Sequence, residues 1–293
     1  MLGKLLDRSV VFDFDRTGFE RHARRFIDEP TRPLGPVLMT GGTAGIGLAA
    51  AEALAQAGAE MLLWARNPDR GAHAAERTGG VFVPVDLGDL EAVAAASEDI
   101  THPVDVVLNA GAMPLERTLS AQGHELIWAS QVLGHTLLLH KLHARQLLRR
   151  VVWVSSGGAY TQQLDLRDLP CEQRYQRHSV YANAKRAQLE LNALLAELWP
   201  EVHLAAMHPG WVDTAAVQHS MPWFRAVTRP ILRTPEQGAD TIVWLVTRPE
   251  PGPSGRFWFD RAEVPVHRSR STHTRPGDAE ALLNLVRSQI DGF

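Results

Sequence analysis

The chain lacks many cysteines and a long apolar run, features that are typical of disulfide-rich secreted proteins and of membrane proteins respectively. Cys171 is its only cysteine, so no disulfide can form within the chain and a reducing compartment is expected. No apolar run approaches the roughly 18 residues of a membrane-spanning helix. Charges at Lys4, Asp7, Arg8 and Asp13 interrupt the start of the chain, which therefore lacks the apolar core of a signal peptide. We expect a cytoplasmic protein without a transmembrane span, with mitochondrial import and peripheral membrane attachment as the alternatives.

No excess of charge of one sign is present either. The chain has 30 basic and 33 acidic residues, a formal net charge of −3, which argues against a nucleic-acid partner. Its 45% of hydrophobic and 22% of charged residues are ordinary for a globular protein. A length of 293 residues is enough for one large domain with a sizeable core.

Short apolar runs alternate with helical patterns along most of the chain. The predicted strands are 37–39, 61–65, 81–85, 104–108, 151–154, 202–207 and 257–259. The predicted helices are a segment ending near 58, then 69–78, 87–97, 122–148, 179–198, 235–246 and 279–290. Such alternation predicts an α/β fold of the Rossmann type, a doubly wound parallel sheet with helices on both faces, in a single domain.

Two terminal segments flank this pattern. Residues 1–35 form a charged lead-in with a basic cluster at 21–25, for which we expect a solvated outer helix, with attachment to an anionic surface as the alternative. The domain is expected to span 36–263, including a lid at 215–234. Residues 264–293 are expected to form a surface tail followed by a terminal helix.

A glycine-rich turn follows the first predicted strand. The segment Thr40-Gly41-Gly42-Thr43-Ala44-Gly45-Ile46-Gly47 separates that strand from a helical pattern rich in Ala and Leu. A strand, a glycine-rich turn and a helix in this order supply the backbone N–H groups and the helix N-terminus that hold a pyrophosphate. The spacing is G-x-x-x-G-x-G rather than G-x-G-x-x-G. The turn therefore predicts nucleotide binding.

Tyr181 and Lys185 stand four residues apart in the helical pattern 179–198, so they share one helix face. A nearby ammonium favours the phenolate, which predicts a Tyr181 pKa below its usual value near 10. Such a tyrosine can donate and accept a proton near neutrality. Alone the pair is a weak signal, because Tyr and Lys recur at this spacing by chance.

Four motifs in this order resemble the short-chain dehydrogenase/reductase family. They are Thr40–Gly47, Asn109-Ala110-Gly111, Ser155-Ser156 and Tyr181-x-x-x-Lys185, and Pro209-Gly210 follows them. The resemblance covers about residues 36–260. Finer motifs at 153–158, 207–211, 236–241 and 254–257 are similar to the branch that contains dehydrogenase/reductase family member 12, with retinol-dehydrogenase-like proteins as near relatives.

This resemblance implies hydride transfer between a nicotinamide and a carbonyl/alcohol substrate. It implies that Tyr181 donates or removes the proton, that Ser156 holds the carbonyl oxygen, and that Lys185 lowers the Tyr181 pKa and binds the ribose. Ser155 is expected to bond to the backbone instead. The interval of 25 residues from Ser156 to Tyr181 is longer than the family's usual spacing, which predicts a flap over the substrate.

One catalytic position departs from the family pattern. Gln131 stands where the family carries its proton-relay asparagine. Its amide lies one methylene further out and could either still hold a water near Lys185 or slow turnover. A second hypothesis is therefore an NADPH-binding scaffold or sensor with little turnover. The intact Ser156, Tyr181 and Lys185 favour the enzyme.

Arg66, at the end of the second predicted strand, predicts whether the chain prefers NADP(H) or NAD(H). NAD-preferring members carry an acidic residue there, whereas a guanidinium suits the extra phosphate of NADP. We expect NADP(H), with NAD(H) as the alternative. The resemblance implies that the cofactor contacts are Thr40, Gly41, Thr43, Ala44, Gly45, Ile46, Gly47, Arg66, Asp86, Leu87, Asn109, Ala110, Gly111, Tyr181, Lys185, Pro209, Gly210, Val212 and Thr214.

Three further expectations concern partners. Trp223 and Phe224 in the lid favour a bulky lipophilic substrate or a membrane surface. Relatives often pair through the helices at 122–148 and 179–198, so a homo-oligomer is expected. His135, His140 and His143 share one helix, but their spacing is not that of metal ligands, so we expect helix-surface histidines and no metal.

Overall fold

The computed structural model of the chain describes residues 13–213 and 228–293. Its centre is an eight-stranded sheet with the strand order β3-β2-β1-β4-β5-β6-β7-β8. The neighbouring strands from β3 to β7 are parallel, and β8 is antiparallel to β7. The strands are Pro36–Thr40, Glu60–Ala65, Val81–Pro84, Val104–Leu108, Leu148–Val154, His203–Met207, Arg256–Phe259 and Ala262–Glu263, numbered β1 to β8.

Eight helices of the described residues surround the sheet. Helices α1 to α4 are Arg16–Ala23, Gly45–Gln56, Pro68–Thr78 and Leu90–Glu98. Helix α5 runs through Leu126–Trp128, a π-helical segment Ala129–Leu133 and Gly134–Ala144. Helices α6, α7 and α8 are Arg177–Leu198, Pro235–Thr247 and Asp278–Ile290. Short 3₁₀ turns lie at Gly157–Thr161, Arg229–Ile231 and Arg270–Thr272.

Alternate strand residues point to opposite faces of the sheet, and each face carries its own core. Leu38, Val106 and Val151 belong to the core beneath α4, α5, α6 and α8. Met39 and Val107 belong to the core beneath α2 and α7. The predicted doubly wound α/β fold with helices on both faces is confirmed. Among the described residues, no helix combines the length and the apolar character that crossing a membrane requires.

The predicted helix 122–148 is wrong at its C-terminal end. Helix α5 ends at Ala144, and Gln146 adopts a left-handed φ of 56°. Strand β5 then begins at Leu148, which pairs with Val104 of β4. The apolar residues that continue the helical pattern here belong to the strand, because pairing with β4 outweighs the local periodicity.

Both flanking segments pack more deeply than expected. Phe14 is only 2% exposed, and its ring contacts His208 at 4.6 Å between ring centroids. Val264 and Val266 of the expected surface tail pack against the core, and Thr272 is 4% exposed. Helix α1 is otherwise the outer helix expected of the lead-in, with only Gly18 buried, and most residues of 264–278 are exposed or half-buried, as expected of a surface tail. The domain limits themselves stay a prediction.

Candidate active site

The glycine-rich turn lies at the carboxyl end of β1, where α2 begins. Gly41 and Gly45 adopt φ angles of +69° and +53°, a region that favours glycine. Ala44 caps α2 without a side-chain hydrogen bond. The first N–H groups of α2 therefore have no side-chain acceptor from this cap, which leaves the electropositive helix end open to an anion.

Asn109, after β4, holds this turn in place. Its Nδ2 donates to the carbonyl oxygens of Thr40, at 3.2 Å, and Gly41, at 3.1 Å. In return, Thr40 Oγ1 accepts from the backbone N–H groups of Asn109 and Ala110 at 3.0 and 3.1 Å. A Cβ at Gly47 would clash with the Gly41 carbonyl and the Asn109 amide. The structure thus brings two of the predicted motif segments together, the glycine-rich turn and Asn109-Ala110-Gly111.

Arg66 follows β2, one strand out from β1, and Asp86 follows β3, two strands out. Arg66 Nη1 is 3.9 Å from Asp86 Oδ2, and the two side chains are 59% and 45% exposed. An ion pair this exposed contributes little, so the guanidinium remains available to a phosphate. Asp86 Oδ1 also accepts from the Gly88 N–H at 2.9 Å, and Leu87 is buried.

Lys185 is almost fully buried, with 2% of its surface exposed. Its Nζ donates to the backbone carbonyl of Val154 at 2.9 Å and to Gln188 Oε1 at 3.2 Å. Burial lowers the pKa of this ammonium to about 7. The Nζ lies 5.5 Å from the centroid of the Tyr181 ring. The structure therefore places the predicted pair together, with the lysine partly deprotonated near neutrality.

The expected lowering of the Tyr181 pKa by Lys185 is wrong. Burial raises the pKa of Tyr181, and only a side-chain hydrogen bond with Ser156 opposes that rise. The physical reason is orientation, since the ammonium lies over the ring and directs its hydrogen bonds to Val154 and Gln188. Desolvation of the phenol then outweighs any attraction to the nearby charge.

The two serines after β5 have different surroundings, as predicted. Ser155 is 3% exposed, and its hydroxyl donates to the backbone carbonyl of Lys185 at 3.0 Å. The Ser156 hydroxyl accepts from the Gly158 N–H at 3.0 Å and caps the 3₁₀ turn. Ser155 is thus the backbone-bonding residue, and Ser156 is the one that bonds to Tyr181.

Gln131 lies in the π-helical segment of α5 and is fully buried. Its Nε2 donates to the carbonyl of Ala112 at 2.6 Å, in the loop after β4 that also contains Gly111. A Cβ at Gly111 would lie 3.3 Å from the Gln131 amide. The Gln131 side chain is therefore bonded to this loop rather than to Lys185.

The loop after β6 packs closely against Arg233 and helix α7. Gly210 adopts a φ of +75°, and a Cβ there would lie 2.5 Å from Arg233 Nε. Val212 is 3% exposed and packs against Gly238 of α7, where a Cβ would approach both Val212 and Ile46. Pro209, Gly210 and Val212 lie in the loop after β6, and their contact with the nicotinamide stays a prediction, whereas Thr214 and the lid residues Trp223 and Phe224 lie outside the described residues.

Sequence reasoning missed the group that clamps this loop. Arg233 is 1% exposed and donates to both carboxylate oxygens of Asp260 and to the Phe14 carbonyl. His208 is fully buried, with its ring stacked on Phe259 at 4.1 Å, and burial lowers its pKa to about 3. No local pattern signals these contacts, because they join residues far apart in the chain.

The expectation of surface histidines is wrong for His135. This residue is fully buried, with Nε2 3.0 Å from Thr40 Oγ1, and burial lowers its pKa to about 3. His143 instead stacks on Trp199, with 4.1 Å between the ring centroids. Within 13–213 and 228–293, no group of three or more His, Cys, Asp or Glu residues could hold a metal ion.

The long segment between Ser156 and Tyr181 is anchored at two points. Asp165 and Asn183 exchange hydrogen bonds of 2.9 and 2.7 Å between backbone and amide groups. Tyr175 donates to the Pro114 carbonyl at 2.9 Å, which joins this segment to the loop after β4. The two loops therefore lie together on one side of the candidate site.

Known proteins similar to this chain were found in three comparisons. The family model described as "NAD dependent epimerase/dehydratase family" matches residues 37–207, from β1 to the end of β6. The human protein named dehydrogenase/reductase SDR family member 12 is 33% identical over 314 residues, covering 98% of this chain and 99% of its own. The mouse polyprenol dehydrogenase is 30% identical over 262 residues, covering 80% and 78%. A solved structure of an uncharacterized protein from Mycobacterium paratuberculosis has a TM-score of 0.73 at 25% identity, covering 90% and 96%.

Proposed function

The chain belongs to the short-chain dehydrogenase/reductase family, and we propose that it transfers a hydride between NADP(H) and a lipophilic carbonyl/alcohol substrate, with Tyr181 as general acid and base. The predicted likeness to the branch of member 12 and to retinol dehydrogenases is confirmed, and oxidoreductase is the class of its named relatives. The observation that carries the proposal is the convergence of Ser156, Tyr181 and Lys185.

The residues present fit a nicotinamide dinucleotide. The N-terminus of α2 lacks a side-chain cap, and Gly41 and Gly47 allow a close approach of the backbone. Arg66 is exposed and only weakly paired, which supports NADP(H) over NAD(H). When bound, the cofactor supplies the hydride that is exchanged with the substrate carbon.

The side chains divide the remaining work. The Ser156 hydroxyl accepts from Gly158 N–H and bonds to Tyr181, so its own proton would turn from Tyr181 to the substrate oxygen when a substrate binds. Tyr181 is held beside it and transfers its proton to that oxygen as the carbonyl is reduced, or removes it as the alcohol is oxidised. Lys185, whose Nζ lies 5.5 Å from the centroid of the Tyr181 ring, would bind the nicotinamide ribose.

Two observations support the finer parts of the proposal. A lipophilic substrate agrees with the similarity to mouse polyprenol dehydrogenase and with Trp223 and Phe224 in the predicted lid. A cytoplasmic location agrees with the single, buried Cys171.

The test is NADPH and NADH oxidation with a panel of lipophilic and small polar carbonyls, on the wild type and Tyr181→Phe. We expect turnover with NADPH and lipophilic carbonyls, and a loss of at least about 100-fold in Tyr181→Phe with NADPH binding retained. Cys171→Ser is the matched control, because Cys171 lies outside the catalytic group. Turnover of small polar carbonyls alone would refute the lipophilic substrate.

The rival function is an NADPH-binding scaffold or sensor. It is favoured if NADPH binds tightly but no carbonyl in the panel is reduced. If neither nucleotide binds, both proposals fail.

A further inference from the structure

Lys185 has one side-chain acceptor among the residues that the structure describes. Its Nζ donates to the Val154 main-chain carbonyl at 2.9 Å and to Gln188 Oε1 at 3.2 Å. Gln188 follows Lys185 by three residues on α6, so both side chains lie on one helix face. Gln188 is fully buried and cannot exchange this contact for water.

The other end of the Gln188 amide is also bonded. Its Nε2 donates to the main-chain carbonyl of Gln131 at 2.8 Å, across the interface between α6 and α5. That carbonyl lies in the π-helical segment Ala129–Leu133, and it also accepts from His135 Nδ1 at 3.2 Å. An amide bonded through both its oxygen and its nitrogen cannot rotate without losing both hydrogen bonds.

We propose that Gln188 is a positioning residue that ties Lys185 Nζ to the Gln131 main-chain carbonyl and thereby sets the position and the charge of the ammonium beside Tyr181. Its effect on catalysis rests on the proposed function, whereas the contact itself does not. The hydrogen bond goes to the main-chain carbonyl of residue 131 and does not depend on the side chain there. Glutamine can therefore replace the family's asparagine at position 131 without breaking the link. The Gln131 side chain is bonded to Ala112 instead.

The groups that face Lys185 make its charge sensitive to residue 188. Tyr181 lies beside it on α6, and His135 on α5 is neutral because burial lowers its pKa to about 3. Strand β5 contributes only the carbonyl of Val154, and burial is what lowers the Lys185 pKa to about 7. Among the described residues, no carboxylate compensates the ammonium. A carboxylate at 188 would therefore change its pKa strongly.

The chain is suited to a direct measurement, because it has only three lysines, Lys4, Lys141 and Lys185. The protein is labelled with lysine carrying ¹³C at Cε, and each lysine is titrated by NMR in the wild type, Gln188→Glu and Gln188→Met. We expect Gln188→Glu to raise the Lys185 midpoint by about one to three pH units. Gln188→Met removes an acceptor and should lower it. Lys141 is the internal reference.

Asn192→Asp is the matched control. Asn192 is a buried amide one turn further along α6, and its Nδ2 donates to the Arg256 carbonyl rather than to Lys185. It should shift the Lys185 midpoint far less than Gln188→Glu does. Equal midpoints in the wild type and both Gln188 variants would overturn the proposal. If Gln188→Glu does not fold, Gln188→Asn, which withdraws the amide by one methylene, takes its place.

Catalysis supplies a second, separable readout. If the chain turns over a carbonyl, the pH midpoint of kcat should move in the same direction as the Lys185 midpoint. A purely structural role for Gln188 would lower the melting temperature without moving either midpoint. If no carbonyl is reduced, the proposed function fails while the NMR titration still decides the role of Gln188.

Discussion

Arg233 and Asp260 form a two-point ion pair in the protein interior, with Nη1 2.5 Å from Oδ1 and Nη2 2.8 Å from Oδ2. They are 1% and 6% exposed. The remaining donors of the guanidinium reach main-chain carbonyls, among them Asp13 at 3.0 Å and Phe14 at 2.9 Å. The pair therefore joins the N-terminal segment to the end of β7 and supports Gly210 in the loop after β6.

Replacing Arg233 should be costly to stability. Arg233→Met removes both guanidinium hydrogen bonds from the buried Asp260 carboxylate, which keeps its contact with His22 Nδ1 at 2.7 Å, and we expect the free energy of unfolding to fall by about 3 kcal/mol. Urea denaturation followed by circular dichroism measures this change. Arg256→Met is the control, because that arginine is exposed on β7. A loss below about 1 kcal/mol in Arg233→Met would contradict the role of the pair.

Features set by local sequence could be predicted, and those set by long-range contacts could not. Strand β4 was predicted at its observed limits because four of its five residues, Val104 to Leu108, are apolar. Tyr181 and Lys185 could be placed together because helical spacing alone does so. Arg233 and Asp260 meet only after β6, β7 and the N-terminal segment have assembled, and no spacing rule relates them.

The sequence was equally unable to predict the direction in which the pKa of Tyr181 shifts. The spacing of Tyr181 and Lys185 predicts attraction, but burial decides the outcome for both groups. Burial depends on α5 and on the loop after β5, which pack around this part of α6. The bond from Gln188 to Gln131 likewise requires the π-helical segment, for which the sequence offers no signal.

The low pKa of Lys185 should appear as a pH dependence of stability. The folded chain releases this proton at about pH 7, whereas the unfolded chain holds it to about pH 10. The unfolded state therefore binds more protons between these values, so wild-type stability rises with pH in that window. Lys185→Met lacks this dependence.

Lys185→Met should consequently be more stable than the wild type at pH 6, by up to a few kcal/mol, and this advantage should shrink towards pH 10. Thermal melting of both proteins at a series of pH values measures the difference. Lys141→Met is the control, since Lys141 is only half-buried. A difference that is constant from pH 6 to pH 10 would show that burial does not lower the Lys185 pKa.

Arg66 should decide the choice between NADPH and NADH. Arg66→Asp replaces the exposed guanidinium by a carboxylate that repels a 2′-phosphate and can bond the ribose hydroxyls. We expect NADPH affinity to fall by at least about tenfold and NADH affinity to rise, as measured by fluorescence titration. Arg77→Ser is the control, because Arg77 lies at the other end of α3 and pairs with Glu52. Unchanged NADPH affinity in Arg66→Asp would place the phosphate elsewhere.

Helix α8 covers the face through which the sequence predicts pairing. It packs on α6 and on the π-helical segment of α5, with Leu282 and Val286 buried in their common core. Gln289 Oε1 accepts from Trp128 Nε1 at 2.9 Å, which holds the helix across α5. Pairing through α5 and α6 would therefore require α8 to leave its place.

We expect the full chain not to pair through α5 and α6. Light scattering after gel filtration should give a monomer mass of 32.3 kDa, or a larger mass with α8 amides still protected from hydrogen exchange. Leu282→Asp with Val286→Asp should displace α8, expose this face and increase the measured mass. Asn284→Asp is the matched control, because Asn284 is exposed on the same helix. A wild-type dimer whose α8 amides exchange rapidly would show that α8 yields this face to a second copy.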